Sequence, residues 1–197
     1  SKEGSEELAT TLDVSHRRAR ETILEAVRIN LLEEDNSRDD PAYTTTYIGG
    51  SFLSAIQSED WSQASQILET HSPHYSTFIE AVESVEHADY ATLLEHLEEE
   101  HEITPYSFNQ TGIEVVGDWG ERLGRVQRNA FTGSYYPAQQ THVPGNFHFV
   151  LLSVYDTLEQ TAGVDLRQRY LSIPRLRETT CERLGCTRPA FDDALLV

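Results

Sequence analysis

Residues 6–32, EELATTLDVSHRRARETILEAVRINLL, decide how the chain is read. Leu8, Ala9 and Leu12 recur at helical spacing, and the pattern stops at Asp13 and Val14. Ser15 then offers a hydroxyl to cap a second helix. On that helix Ala19, Ile23, Ala26 and Val27 stand at i, i+4, i+7 and i+8 and share one face, while His16, Arg17, Arg18 and Arg20 turn outward at its start. A residue as small as Ala19 lets two helices approach closely. A basic first turn presents donors to phosphates or to guanine edges.

After Leu31-Leu32 comes a polar, turn-rich run from Glu33 to Pro41, then the β-prone Ala42-Tyr43-Thr44-Thr45-Thr46-Tyr47. That order predicts strand, wing tip, strand. The run L-x-V-S-x-R-x-A-R (residues 12–20) and the Leu pair resemble the winged helix-turn-helix of prokaryotic transcription regulators. The resemblance implies a second helix in the major groove and a wing on the DNA backbone. It makes His16, Arg17, Arg18, Arg20 and the wing residue Arg38 candidate nucleic-acid contacts. A winged helix that only binds protein is the alternative, because a fold does not fix a function.

Charge is the most unusual bulk feature: 33 acidic residues stand against 15 basic ones, and Lys2 is the only Lys. Arginine in place of lysine on an acidic surface looks like the proteins of salt-accumulating halophilic archaea. In molar salt the Debye length falls to about 3 Å, so such a surface repels itself little. The positions of the charges say more than their sum. Between Arg38 and Arg122 there is no Lys or Arg, while Asp and Glu occur 17 times. The arginines gather at residues 17–38, 122–128 and 167–188, and local basic patches on a repelling background suit selective phosphate contact. Arg122, Arg125, Arg128, Arg175, Arg177 and Arg188 therefore join the candidate nucleic-acid contacts.

At 197 residues the chain can bury a real core. No apolar run reaches membrane-spanning length, and no basic stretch followed by an apolar one reads as a signal peptide. The absence of Met, and a first segment that opens without the helix that normally precedes a helix-turn-helix, lead us to expect a piece of a longer protein.

The organisation expected is a winged helix over residues 1–50, a helical region over 51–140 ending in a second winged helix, and a helix-turn-helix over 145–197 cut off before its wing. In the middle, Ile48-Gly49-Gly50 is read as punctuation before a helix carrying Phe52, Leu53 and Ile56. Helices follow at 61–71, from Pro73, and at 86–101, the last with the acidic outer face Glu95 to Glu100. Ser107 or Asn109 is expected to cap a helix closed by Gly124, ahead of a hairpin from Arg125 to Tyr136. Beyond it lie a helix from Phe147 ending at Gly163, one from Ile173-Pro174 to Leu184, and a last one capped by Thr187. The fold class expected is mainly α with short β-hairpins, as tandem winged-helix units around an acidic helical middle.

Catalytic signals are missing from the sequence. There is no G-x-S-x-G and no phosphate-cradling glycine loop. His71 and His74 near Glu69 and Glu80, and His96 and His101 around Glu98 to Glu100, lack a zinc-binding spacing, so no metal or other cofactor is expected. Cys181 and Cys186 have no second pair to complete a zinc site, and a cytoplasmic setting with free thiols is expected. The reading is a non-enzymatic protein that binds double-stranded DNA, as a regulator or as the recognition part of a larger assembly. A protein-interaction scaffold holding partner subunits is the rival, and the reading leaves room for a homodimer.

Overall fold

The computed structural model describes residues 2–35, 42–85, 88–138, 140–161 and 171–196, with residues 101–107 also outside the description. It is mainly helical with two small antiparallel hairpins. The chain divides into two compact units, Ser1–Ser76 and Thr77–Val197.

In the first unit α1 (Lys2–Leu12) leads into α2 (His16–Arg28) through Asp13, whose φ of 52° reverses the chain in a left-handed turn. The backbone N–H of Val14 donates to the Ala9 carbonyl at 3.0 Å and closes that turn. Strands β1 (Leu32–Asp35) and β2 (Ala42–Thr45) then pair antiparallel, Leu32 against Thr45 and Asp35 against Ala42. Residues 36–41, where the wing tip and Arg38 were expected, lie outside the described residues.

Gly49 and Gly50 do not punctuate the chain. They lie inside α3 (Tyr47–Gln57), because Thr46 caps this helix: its hydroxyl accepts from the Gly49 N–H at 2.9 Å and donates to the Asn30 carbonyl at 2.6 Å. α4 (Trp61–His71) follows, capped by Asp60, and α5 (Pro73–Ser84) begins at the expected proline. Ala19, Ile23, Ile29, Ala55, Ala64, Leu68 and Tyr75 are buried, and the Tyr75 and Ser65 hydroxyls bond at 3.0 Å.

The second unit takes up α5, then α6 (Tyr90–Glu100) and α7 (Gln110–Arg122). α6 starts later than residue 86 because Ala88 is in extended backbone, bridged antiparallel to Tyr135. Asn109 caps α7 by accepting from Gly112 N–H at 2.9 Å. Strands β3 (Val126–Arg128) and β4 (Tyr135–Pro137) form the second hairpin. It sits directly on α7: a β-carbon at Gly117 would stand 2.4 Å from the Tyr135 hydroxyl, and one at Gly120 2.7 Å from Val126. Phe78 meets the Tyr135 ring edge-on at 5.2 Å.

The chain ends with α8 (Phe147–Thr161), α9 (Ile173–Leu184) and α10 (Arg188–Leu195). They enclose a core of Tyr136, Ala138, Phe147, Cys181, Cys186, Ala190 and Phe191. Gly185, at φ 60°, ends α9, and Thr187 caps α10 as read from the sequence. The stop expected at Gly163 falls outside the described residues. No helix among the described residues is long and apolar enough to cross a membrane.

Candidate nucleic-acid interface

The first turn of α2 is built by Ser15, whose hydroxyl accepts from the Arg18 N–H at 3.2 Å. That cap sets the rotation of the helix: Ala19 and Ile23 point inward and are buried, Ala26 and Val27 are half-buried, and His16, Arg17, Arg18 and Arg20 are exposed. The helix carries four arginines against two glutamates. Its N-terminus adds the positive end of the helix dipole to this cationic turn.

Arg17 donates to Glu21 at 2.9 Å, with the two side chains 89% and 54% exposed. A pair so open to water is held weakly and can yield to a phosphate. Arg18 and Arg20 make no ion pair with a carboxylate among the described residues. The hairpin beside them is of opposite character, since Glu33 and Glu34 are exposed on β1. Burial, followed by the Glu34 charge, raises the Tyr43 phenol above its ordinary range. Contact with a polyanion would therefore fall on α2 and not on the described part of the hairpin.

The arginines of the second unit divide differently. Arg188 gives Glu178 two hydrogen bonds, from Nε and Nη2, each 2.8 Å, and a third to the Arg128 carbonyl. Arg177 donates to Asp192 at 3.0 Å and adds a charge contact to Glu178 at 3.6 Å. Arg125 reaches Glu83 at 3.2 Å and is only 26% exposed. These three, read from the sequence as candidate nucleic-acid contacts, each hold a carboxylate within the second unit, as half-buried guanidinium groups require. Arg128 donates to the Gly133 carbonyl and lies over the Tyr135 ring at 5.5 Å. Arg122 is exposed and paired with Asp118 at 2.8 Å on the outer face of α7, which also carries Glu114. Arg175 is exposed on α9.

The acceptors of this second cluster were not read from the sequence. Asn129 accepts from the Phe131 and Thr132 N–H groups and donates to Glu182 at 2.6 Å. Ser134 donates to Glu182 at 2.7 Å, and the Ala130 N–H donates to Glu178 at 3.2 Å. Glu178 and Glu182, four apart on α9, thus hold the β3–β4 turn. Their spacing on one face was the available signal.

Among the described residues no three His, Cys, Asp or Glu side chains gather as metal ligands would. Cys181 and Cys186 are free and buried. No protein-family model, curated protein or solved structure matches the chain.

Proposed function

We propose that the first unit binds double-stranded DNA through α2, as a transcription regulator or as the DNA-recognition part of a larger assembly. The observation that carries this reading is the exposed start of α2, where Arg18 and Arg20 stand without a carboxylate ion pair among the described residues on a chain of net charge −18. Helix, capped turn, helix and hairpin in the order α1, α2, β1, β2 support reading this unit as a winged helix with α2 in the major groove.

The second unit repeats part of that order in α6, α7, β3 and β4. The outer face of its α7 carries Glu114 and Asp118, which would repel phosphate, so a second winged helix here would serve protein contact. DNA binding is thus assigned to one unit and partner binding to the other.

The test is fluorescence anisotropy on random duplex DNA, read for the wild type, Arg18→Ala, Arg20→Ala and Glu95→Gln. Each Arg variant is expected to weaken binding, and Glu95→Gln to leave it unchanged. If the double Arg18→Ala/Arg20→Ala variant bound duplex like the wild type at every salt concentration, the DNA reading would fall and a protein-binding scaffold would stand.

A further inference from the structure

Cys181 and Cys186 are the only two cysteines in the chain, and the fold brings them together. Cys181 lies in the last turn of α9, and Cys186 follows Gly185, whose φ of 60° turns the chain back on itself. The backbone N–H groups of Gly185 and Cys186 both donate to the Cys181 carbonyl, the second at 3.2 Å. A six-residue turn closed in this way sets its first and last side chains side by side. Here the two thiols hydrogen-bond to each other, and the Cys181 sulfur also lies 3.8 Å from the Thr187 carbonyl oxygen.

Any two apolar side chains would fill that contact, so packing alone does not call for cysteine at both ends of the turn. A chain that uses cysteine nowhere else has placed both where a disulfide can form. Sulfurs already in hydrogen-bonding contact need only close to about 2.05 Å, a movement within reach of side-chain torsions.

The two sulfurs are unequal. The Cys181 S–H donates to the Cys186 sulfur and holds the Cys186 thiol below its ordinary range against the cost of burial, while Cys181 is pushed up. The thiolate is the reactive form of cysteine, so Cys186 is the attacking sulfur and Cys181 the resolving one. Both side chains are fully buried beside Tyr136, Phe147 and Phe191. Leu184, Gly185 and Thr187 around them are only half-buried, so the pair lies one layer beneath the surface. A neutral oxidant little larger than water reaches it when the turn opens locally.

We infer that Cys181 and Cys186 form a reversible, hydroperoxide-responsive dithiol, whose oxidation fastens the turn between α9 and α10. With hydrogen peroxide, the Cys186 sulfur attacks one oxygen, the O–O bond breaks, and the departing hydroxide takes the Cys186 proton to leave as water. Cys181 then attacks the sulfur of the Cys186 sulfenic acid; the S–O bond breaks, and the hydroxyl leaves as a second water with the Cys181 proton. Two thiols are oxidised to one disulfide while one peroxide is reduced to two waters. Thiol–disulfide exchange with a dithiol reductant reverses the step. The bond forms beside Arg188, the first residue of α10, which holds Glu178 and the Arg128 carbonyl. This inference is independent of the DNA reading.

Treatment of the folded full chain with hydrogen peroxide tests it, read by intact-mass spectrometry and by thiol titration in denaturant. The wild type is expected to lose both thiols and about 2 Da, to stay a single chain, and to regain both thiols with dithiothreitol. Cys181→Ala, confirmed as folded by circular dichroism, should accumulate sulfenic acid at Cys186, trapped with dimedone. Cys186→Ala should give roughly tenfold less trapping at Cys181, the thiol with the higher pKa. Wild-type thiols that stay free in the folded chain at peroxide concentrations that oxidise the unfolded one would overturn the inference. So would cross-links between chains, or sulfinic acid formed in place of the disulfide, and neither result depends on how the variants fold. Equal trapping in the two variants would overturn the assignment of Cys186 as the attacking sulfur.

Discussion

Glu178 shows how a single carboxylate can hold two parts of a fold. Its side chain is 3% exposed, and burial alone would push its pKa up. The hydrogen bonds from Arg188, the N–H of Ala130 and the Arg188 and Arg177 charges outweigh that and hold it below the ordinary glutamate range. A carboxylate whose pKa is depressed by folding stabilises the native state fully above its unfolded-state pKa. That contribution is lost as pH falls through the lower, folded-state value. Acid titration monitored by near-ultraviolet circular dichroism should therefore show the wild-type second unit holding its tertiary signal to a lower pH than Glu178→Gln. At neutral pH the Gln variant should lose about 2–3 kcal/mol in urea unfolding, because half-buried Arg188 then keeps only the more distant carboxylate of Glu121, at 3.8 Å. Equal urea midpoints for the two proteins would contradict this role. The carboxylate partners of Arg177 and Arg188 were not legible in the sequence, where a cluster of arginines reads as a cationic patch until the partners of each are known. Glu178 and Glu182 share a face of α9, but which face turns inward depends on the docking of α9 against a distant hairpin turn, and no local pattern encodes that.

At the scale of elements, caps were the legible signals. Ser15, Asn109 and Thr187 each accept a backbone N–H at the start of the helix they were expected to open. A cap acts across three residues, so the stretch that specifies it also contains it. Glycine was misread at Gly49-Gly50 because its meaning depends on what lies across from it. A β-carbon on Gly49 would stand 2.0 Å from the Leu31 carbonyl oxygen, whereas one on Gly50 would meet nothing within 4 Å. Gly49 therefore permits a close approach of α3 to the backbone at Leu31, just before β1, and Gly50 is an ordinary exposed helix position. We expect Gly49→Ala to destabilise by about 1–3 kcal/mol, since backbone must shift to admit the methyl group. Gly50→Ala should stabilise by about 0.5–1 kcal/mol through reduced freedom of the unfolded chain. Chemical denaturation of the pair checks the contrast. Similar effects of equal sign at the two positions would show that the close contact at Gly49 does not constrain the helix. The hairpins were legible as elements too, but the bridge from Ala88 to Tyr135 was not, since it joins positions far apart in sequence.

For the molecule as a whole, net charge of −18 is the dominant long-range term. Self-repulsion of this kind destabilises the compact state, and salt relieves it as the Debye length shortens from about 10 Å at 0.1 M to about 3 Å at 1 M. Thermal unfolding should therefore move to higher temperature as KCl is raised from 0.1 M towards molar concentration. A melting temperature that falls across this series would remove the support for a salt-adapted surface. Salt acts on DNA binding in the opposite sense, because each phosphate contact releases counterions and weakens as salt rises. If α2 binds DNA as proposed, its start lies at this balance, since Arg18 and Arg20 make no carboxylate ion pair among the described residues. The most direct measurement of that claim is the slope of log K against log [KCl] for random duplex DNA, wild type against Arg18→Ala and Arg20→Ala. Measurable binding is expected, with a slope that flattens by about 0.9 in each variant, one phosphate contact apiece. Slopes and affinities identical in all three proteins, or no binding at any salt concentration, would contradict it.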